Sequence, residues 1–310
     1  MIQYILRRLL LIIPVLLGVL FLTFVLMYMV PGDPVITMLG QHAEDDIINR
    51  IRAELKLDDP WHVQFINYLK RTLRGDLGRS YISGVSVTDA LKQKLPNTLK
   101  LAVTAVIVST LMGVFIGVIS AVYQNTWIDH AAMTFALLFI STPVFWFGMI
   151  LIYFFSMTLG WTPISGMGDG GLSLQHLILP AITLGSRFAA FLARYTRSVM
   201  LEVITQDYIR TARSKGLKER KVILSHALRN VMIPVVTVVG MNFASLLNGS
   251  VLKETIFAWP GFGRYVVTAI KKRDFQVIAG CVLVGSLIFV FFNLIVDVIY
   301  VGLDPRIKYD

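Results

Sequence analysis

Long apolar runs alternate with polar segments along the whole chain. Runs with few or no charged residues cover positions 9–30, 101–123, 131–160, 177–193, 231–251 and 279–301. A helix needs about 20 such residues to cross the hydrocarbon core of a membrane, which is about 30 Å thick. The pattern therefore predicts an all-α membrane protein with six transmembrane helices and both termini on the same side of the membrane.

The fourth run is the least regular of the six. It begins near Leu177, contains Pro180 and is interrupted by Arg187 before Arg194 and Arg197 stop it. A charged side chain at membrane depth is costly. The sequence therefore leaves the depth of this span around Arg187 open.

The first run looks at first like a secretory signal peptide, because it follows Arg7 and Arg8. It is too long for the apolar region of such a peptide, and PGDP at 31–34 follows it in place of a small-residue cleavage site. We predict that residues 1–30 form a cytoplasmic tip and an uncleaved first span. The two arginines favour an N-terminus inside the cell.

Residues 31–98 have a different character from the runs around them. Ile47, Ile51 and Leu55 recur on one helical face, DDPW at 58–61 restarts a helix, and GDLGRSY at 75–81 has the composition of a turn. A further short helix is predicted for 86–96. This segment is predicted to be a helical extramembrane subdomain, and residues 99–310 are predicted to be the five-helix core.

Three local patterns add detail to that core. Gly113 and Gly117, followed by Ala121, give the small-residue spacing that lets a neighbouring helix approach closely. Pro143 is expected to break the run at 131–160. The loop at 252–278, which contains WPGFGR, is expected to turn back toward the membrane.

The distribution of Lys and Arg predicts the orientation. The segments assigned to the inside hold 13 of these residues, against five in the two shorter outside loops. The nine in 31–98 are set aside, because loops beyond about 60 residues cross the membrane largely regardless of charge. Both termini and residues 194–230 are therefore predicted to be cytoplasmic, and 31–98 extracytoplasmic.

The composition limits the classes of partner. The chain is 55% hydrophobic and 15% charged, with a net charge of +10. Its basic residues lie in loops without interleaved aromatic residues, which favours anionic membrane lipid over nucleic acid as the counterpart. The single cysteine, Cys281, excludes an intrachain disulfide, and the five histidines lack metal-ligand spacing.

The basic stretch at 206–230 interrupts the apolar pattern and has the periodicity of two short helices joined by a turn. Asp207 is expected to cap the first helix and Gly216 to end it, with Leu217 contacting Ala212. In the second helix, Ile223, Ala227 and Val231 share one face. A plain cytoplasmic loop, basic only through the positive-inside bias, is the alternative interpretation, but it does not explain that apolar face.

Several kinds of chemistry are missing from the sequence. It contains no G-x-x-x-x-G-K-[ST] phosphate-binding loop, so any ATP must be handled by a partner. An ion-coupled carrier would place carboxylates in its spans, where only Asp297 occurs. The spans offer no nucleophile and base for an enzyme. An ion-coupled transporter and a non-transporting scaffold remain as alternatives, and a scaffold has no need of a docking element for a motor.

Two polar stripes on the spans are candidates for a translocation path. The first contains Asn293, Asp297 and Tyr300, and the second contains Asn242, Ser245 and Gly249. Ordinary polar packing between helices is the alternative for both stripes.

The order of short motifs along the chain resembles the first permease of the dipeptide, oligopeptide and nickel branch of binding-protein-dependent ABC importers. The resemblance extends over nearly the whole chain. It rests on PGDP at 31–34, LKLDDPW at 55–61, GDLGRSY at 75–81, LPNTLKL at 95–101, HLILPAITLG at 176–185, DYIRTARSKGL at 207–217, HALRN with IP at 226–234, WPGFGR at 259–264 and DPRI at 304–307.

In that family a cytoplasmic loop carries a motif whose coupling helix docks into a groove of the ATP-binding subunit. Here the motif glycine is Gly216, and Ala212 matches the last of three positions that begin with glutamate in the motif. His226 and Arg229 replace the motif's isoleucine and proline. The resemblance implies ATPase contacts within the coupling loop 194–230, at Asp207, Tyr208, Arg210, Thr211, Ala212, Lys215, Gly216 and Leu217.

The resemblance also implies a type I ABC importer (MetI-like) permease fold and a complete transport assembly in a bacterial cytoplasmic membrane. This chain would pair with a second permease, two ATP-binding subunits that hold ATP and Mg²⁺, and an extracytoplasmic solute-binding protein. It would itself hold no cofactor. Peptides are the expected cargo, followed by nickel chelates, glutathione and glycosides.

Overall fold

The computed structural model describes the backbone of residues 2–29, 52, 58–168, 173–248 and 251–303. Helices predominate in these residues, which contain no β-strand and only an isolated β-bridge between Arg79 and Ser86. The face predicted from Ile47, Ile51 and Leu55 lies outside the described residues. So do the side chains of Ser245, Asn293 and Asp297.

Twelve α-helices are named here in chain order. They are α1 (Ile2–Met29), α2 (Trp61–Leu73), α3 (Val87–Val122), α4 (Trp127–Ser141), α5 (Val144–Leu151), α6 (Leu174–Ile204), α7 (Asp207–Ser214), α8 (Glu219–Lys221), α9 (Leu228–Asn248), α10 (Val251–Ile256), α11 (Phe262–Lys272) and α12 (Phe275–Leu303). Two π-helical segments, Ile152–Thr158 and Val222–Ala227, continue α5 and α8.

Four continuous helices in the described residues are long and apolar enough to cross a membrane. They are α3, α6, the helix from Glu219 to Phe243, and Phe275–Phe292 of α12. The bent pair α4–α5 makes a fifth if it counts as one span, whereas the side chains of α1 are described only over a shorter apolar stretch, Leu10–Leu26. The multi-span helical architecture is confirmed, and the count of six stays a prediction.

The break expected at Pro143 is present. The axes of α4 and of the helix that begins at Val144 differ by 109°. Thr142 is extended, with φ −77° and ψ 132°, as the residue before a proline prefers. At this angle the two halves cannot follow one straight course across a bilayer.

Residues 98–260 form one compact unit around the packing of α6. The predicted close approach at Gly113 and Gly117 is confirmed, because a Cβ atom would come within 2.8 Å of the Ala189 carbonyl oxygen at Gly113 and within 2.6 Å of the Ala193 carbonyl oxygen at Gly117. Gly185 of α6 lies equally close to the α3 backbone. The small residues therefore seat α6 directly against α3.

The segment that leads into WPGFGR, together with the tryptophan of that motif, is packed within the same unit. Phe257 and Trp259 are 2% and 1% exposed. The Glu254 carboxylate is also fully buried and accepts a 2.6 Å hydrogen bond from the Thr98 hydroxyl. This part of the 252–278 loop is therefore core rather than open surface.

Residues 1–97 and 261–310 are grouped as a second unit. In it α1 packs against α12 and α2, with Leu20, Phe24, Tyr68 and Leu283 in one buried cluster. The boundaries of the two units differ from those of the predicted segments 1–30, 31–98 and 99–310. The reason is that α12 packs against α1 and therefore belongs to the unit of the N-terminal residues. The short helix predicted for 86–96 is wrong as a separate element, since those residues form the first turns of α3.

The GDLGRSY turn is held in that unit by the start of α12. Gly78 has φ +82°, and the Gln276 amide beside it donates a 2.6 Å hydrogen bond to the Leu77 carbonyl oxygen. The Asp274 carboxylate accepts a 2.5 Å hydrogen bond from the Ser80 hydroxyl and a 3.4 Å bond from the Val277 amide. Asp274 thereby joins the turn to the N-terminus of α12.

Candidate functional site

The helix predicted at the start of the basic stretch is α7, and its N-terminal cap differs from the prediction. Gln206 is the capping residue, and its side chain makes no capping hydrogen bond. Asp207 is instead the first helical residue, with a side chain that is 96% exposed and lies 3.6 Å from Arg210. A carboxylate in the first turn still stabilises the helix through the helix dipole.

The end of α7 agrees with the prediction. Gly216 has φ +73°, and its amide donates a 2.9 Å hydrogen bond to the Arg213 carbonyl oxygen. A Cβ atom at this glycine would meet nothing within 4 Å. Glycine is therefore favoured by the left-handed backbone and not by a lack of space. Leu217 is half-buried and packs against the core cluster that contains Ala212.

The underside of α7 is packed into the core of its unit. Ile209 is fully buried and Ala212 is 7% exposed. The predicted apolar face of the following helix is confirmed, because Ile223, Ala227 and Val231 are at most 7% exposed. Both sides of the Gly216 turn are therefore anchored to one cluster.

The side of α7 that faces away from the core is a polar surface. Its exposed residues from the predicted set are Asp207, Tyr208, Arg210, Thr211, Lys215 and Gly216. The Tyr208 hydroxyl accepts a 2.7 Å hydrogen bond from the side-chain amide of Asn230. The predicted coupling residues thus divide into two groups, since Ala212 and Leu217 face inward and the other six remain accessible.

The second predicted helix is not a separate short element. An α-helical turn at Glu219–Lys221 leads through the π-helical segment Val222–Ala227 directly into α9. The apolar stretch from Glu219 to Phe243 is continuous. The turn at Gly216 is therefore joined without interruption to a membrane-spanning helix.

A salt bridge that the sequence did not predict spans the turn. Arg213 donates to the Glu219 carboxylate, with Nη2 at 2.7 Å from Oε1. This hydrogen bonding raises the pKa of the Arg213 guanidinium. The available signal was two opposite charges placed on either side of a helix-ending glycine.

A second missed interaction lies on α6, ten residues before α7 begins. Arg197 binds both oxygens of the Asp129 carboxylate at 2.6 Å through Nε and Nη2. Asp129 is 2% exposed and also accepts hydrogen bonds from the Ser120 hydroxyl and the Asn125 amide. The ion pair joins α6 to the first turn of α4, beside the connection from α3.

One predicted path residue has a described side chain. The Asn242 amide donates a 3.0 Å hydrogen bond to the Val238 carbonyl oxygen of its own helix. In the described part of the chain, no group of three His, Cys, Asp or Glu side chains is arranged to hold a metal ion. The geometry around α7 is that of an exposed polar surface on a helix that is anchored to the core.

Comparison with protein-family models gives two matches. A model described as "Binding-protein-dependent transport system inner membrane component" matches residues 113–309. A second, described as "Binding-prot-dependent transport system membrane comp, N-term", matches residues 1–102. Together the two matches leave little of the chain uncovered.

Relatives of known name match over their whole length. The glutathione transport system permease protein GsiC of Salmonella choleraesuis (strain SC-B67) is 44% identical over 309 residues, and that of Escherichia coli (strain K12) is 43% identical. Each match covers 100% of this chain and 100% of the relative.

Solved structures resemble the fold. A crystal structure of an amino acid ABC transporter matches with TM-score 0.52 and 18% identity, over 68% of this chain and 93% of that one. An inward-facing MetNI methionine ABC transporter matches with TM-score 0.56 and 17% identity, over 69% and 96%. These similarities agree with the expected MetI-like fold.

Proposed function

The chain belongs to the family of binding-protein-dependent transport system inner membrane components, and from this membership we propose how it is driven. It is a multi-pass permease subunit of an ABC importer, and in this family the ATPase activity resides in separate subunits. We propose that the exposed face of α7 docks on an ATP-binding subunit. The observation that supports this most is the division of α7 into a buried underside and an exposed polar surface.

The anchoring of α7 suits it to transmit movement. Ile209 and Ala212 fasten it to the core cluster, and the Gly216 turn leads into the continuous helix that begins at Glu219. A displacement of the exposed face of α7 is therefore transmitted to the helices that it packs against, because no loose loop separates them. Rigid-body movement of this kind is a recognised way to couple two sites.

The docking proposal is tested by site-specific photo-crosslinking in the assembled transporter. A photoreactive residue at Tyr208 or Thr211 is expected to crosslink to an ATP-binding subunit. Trp161 is the control, since it is 65% exposed and lies in a loop predicted on the opposite side of the membrane. Crosslinks to the ATP-binding subunit from Trp161, with none from α7, would refute both docking and orientation.

We further propose that the assembly contains a second permease, two ATP-binding subunits that carry ATP and Mg²⁺, and an extracytoplasmic solute-binding protein. Both termini are cytoplasmic in this proposal, and the membrane is a bacterial cytoplasmic membrane. Asn242, Ser245, Asn293 and Asp297 remain our proposal for residues beside the path. Co-purification of the tagged chain from detergent extracts tests the subunit composition.

Short peptides are the proposed cargo. The full-length relatives are named for glutathione transport, and glutathione is a small peptide with two carboxylates. Uptake of labelled glutathione, neutral dipeptides and nickel chelates by cells that express the complete transporter distinguishes the alternatives. We expect peptide uptake that depends on ATP hydrolysis and is lost when this subunit is deleted.

A further inference from the structure

Helix α6 exposes a basic stripe that runs from its apolar part, which holds Arg187, toward its predicted cytoplasmic end, which holds Arg194. Arg187, Phe191, Arg194 and Ser198 are exposed and recur at intervals of four, three and four residues, which places them on one face. The remainder of α6 is largely buried, and two-thirds of its most apolar stretch lies inside the structure. The stripe is therefore the side of α6 that its own unit leaves uncovered.

Arg187 lies near the middle of this helix. At 1.5 Å per residue, it is about 20 Å from Leu174 and about 26 Å from Ile204. Arginines near helix ends bring their charge to the membrane surface by extending their side chains, but Arg187 lies far from both ends of α6. Charged residues inside membrane segments face a bundle interior or a water-filled cavity and not lipid.

The charges on the stripe have no neutralising partner among the residues that the structure describes. In the described part of the structure, neither Arg187 nor Arg194 makes a hydrogen bond or an ion pair. Lys253 of α10, another cation, interacts electrostatically with Arg187, and the two repel each other. Two like charges in weakly polar surroundings favour an anion beside them.

The stripe is also rigid. Phe191 stacks on Tyr195, with ring centroids 6.2 Å apart and planes 11° apart, and on Phe188 at 6.3 Å and 22°. Behind the stripe, Gly185 seats α6 against the Ala105 carbonyl oxygen. The two guanidinium groups are thereby carried on a fixed wall with an apolar aromatic surface between them.

We propose that Arg187 and Arg194 line the translocation path and bind the carboxylates of peptide cargo as it crosses the membrane. The inference rests on the proposed function and names the chemical class of its cargo as anionic peptides. The two arginines lie seven residues apart, or about 10 Å along the helix axis. A short peptide with two carboxylates can therefore contact one arginine before it leaves the other.

Two other partners for the stripe are less suitable. Lipid phosphates lie at the membrane surface, whereas Arg187 lies within the apolar run, about 20 Å or more from either end of α6. The other candidate partner is a carboxylate of the second permease. It would neutralise the arginines permanently, and the stripe would then be a subunit interface. That arrangement predicts loss of assembly on substitution, and not loss of transport alone.

The test uses the complete transporter, reconstituted in liposomes with its solute-binding protein and supplied with labelled glutathione. Arg187→Gln, Arg194→Gln and the double variant are compared with Arg187→Lys and Arg194→Lys, which keep the charge. Arg220→Gln is the matched control, because Arg220 is exposed but lies outside the stripe. Uptake, cargo-free ATPase activity and recovery of all subunits are measured together.

We expect uptake to fall about tenfold or more in the Gln variants, since hydrogen bonds between charged groups are the strong ones. The Lys variants and Arg220→Gln should retain most of their uptake, and the ATPase activity and subunit recovery should not change. Wild-type uptake by both Gln variants, or loss of the second permease from the complex, would overturn this inference but leave the proposed function standing. Failure of the wild-type transporter to import any peptide would overturn the proposed cargo as well.

Discussion

The carboxylate of Glu219 is held by the guanidinium of Arg213 at 2.7 Å, so a salt bridge closes over the turn at Gly216. The side chains are 40% and 55% exposed, for Arg213 and Glu219 respectively. A pair this accessible to water contributes only about 0–1 kcal/mol to folding. Its effect is instead to fix the angle at which α7 meets the helix that follows.

Glu219→Gln should therefore leave stability nearly unchanged, within about 1 kcal/mol, and weaken the attachment of the ATP-binding subunit. The amide loses the charge that orients Arg213, so α7 is less well positioned. Co-purification of the ATP-binding subunit at rising salt concentration measures this. Glu202→Gln, an exposed acid with no salt bridge among the described residues, is the control, and equal retention in both variants would contradict the prediction.

Gly216→Val should reach the membrane at near-normal abundance but lose uptake. A β-branched residue with positive φ costs on the order of 1–2 kcal/mol, and the turn can relax only by moving the exposed face of α7. Gly216→Asn should be milder, because asparagine tolerates the left-handed region better. Membrane abundance, ATPase co-purification and solute uptake are compared with Lys218→Ala. Full uptake by the valine variant would show that the turn is not needed for coupling.

Asp129→Ala should destabilise the chain by about 3 kcal/mol or more, because it leaves the Arg197 guanidinium without its buried partner. Arg197 is 25% exposed, so water offsets part of this loss. Thermal unfolding of the purified subunit in detergent measures the effect. Asp89→Ala removes an exposed acid and serves as the control. An unchanged melting temperature for Asp129→Ala would mean that this ion pair contributes nothing to stability.

Gly117→Ala should destabilise the packing of α3 against α6 by about 1–3 kcal/mol. The added methyl group would lie 2.6 Å from the Ala193 carbonyl oxygen, and neither backbone can move freely. Gly240→Ala is the matched control, since nothing lies within 4 Å of a Cβ atom there. Equal melting temperatures for the two variants would contradict the prediction that α3 and α6 leave no room for a methyl group at Gly117.

Single cysteines at Ser83 and Ser214 test the proposed orientation. Both serines are exposed, and Cys281 is removed because it is the one native thiol. An impermeant thiol reagent applied to intact spheroplasts should label the cysteine at 83 and leave that at 214 unlabelled until the membrane is opened. Labelling at 214 alone would reverse the topology.

Local signals in the sequence predicted several features correctly. Gly216 ends α7, Gly117 packs against α6 and Pro143 breaks the third apolar run, because each depends on backbone geometry that one residue type dictates. Such features need no knowledge of distant contacts.

Other features depend on groups far apart in the chain. The pairing of Asp129 with Arg197 joins residues separated by 68 positions, and no periodicity reveals it. The fusion of the 86–96 segment with the second span was missed for a different reason. Its polar composition resembles a short surface helix, although the helical backbone continues unbroken through Lys100.

The π-helical segment Val222–Ala227 has a consequence for variation in chain length. Each i→i+5 bond encloses one residue more than an α-helical bond. Deleting one residue here would tighten the segment into ordinary α-helix while α9 keeps its rotational phase, so that Val231 and Val235 still point into the core. A one-residue gap, which elsewhere in a span would turn every later side chain by about 100°, can be accommodated at this position. The spacing between the coupling turn and the fifth span is therefore free to differ by a single residue among transporters of the same architecture.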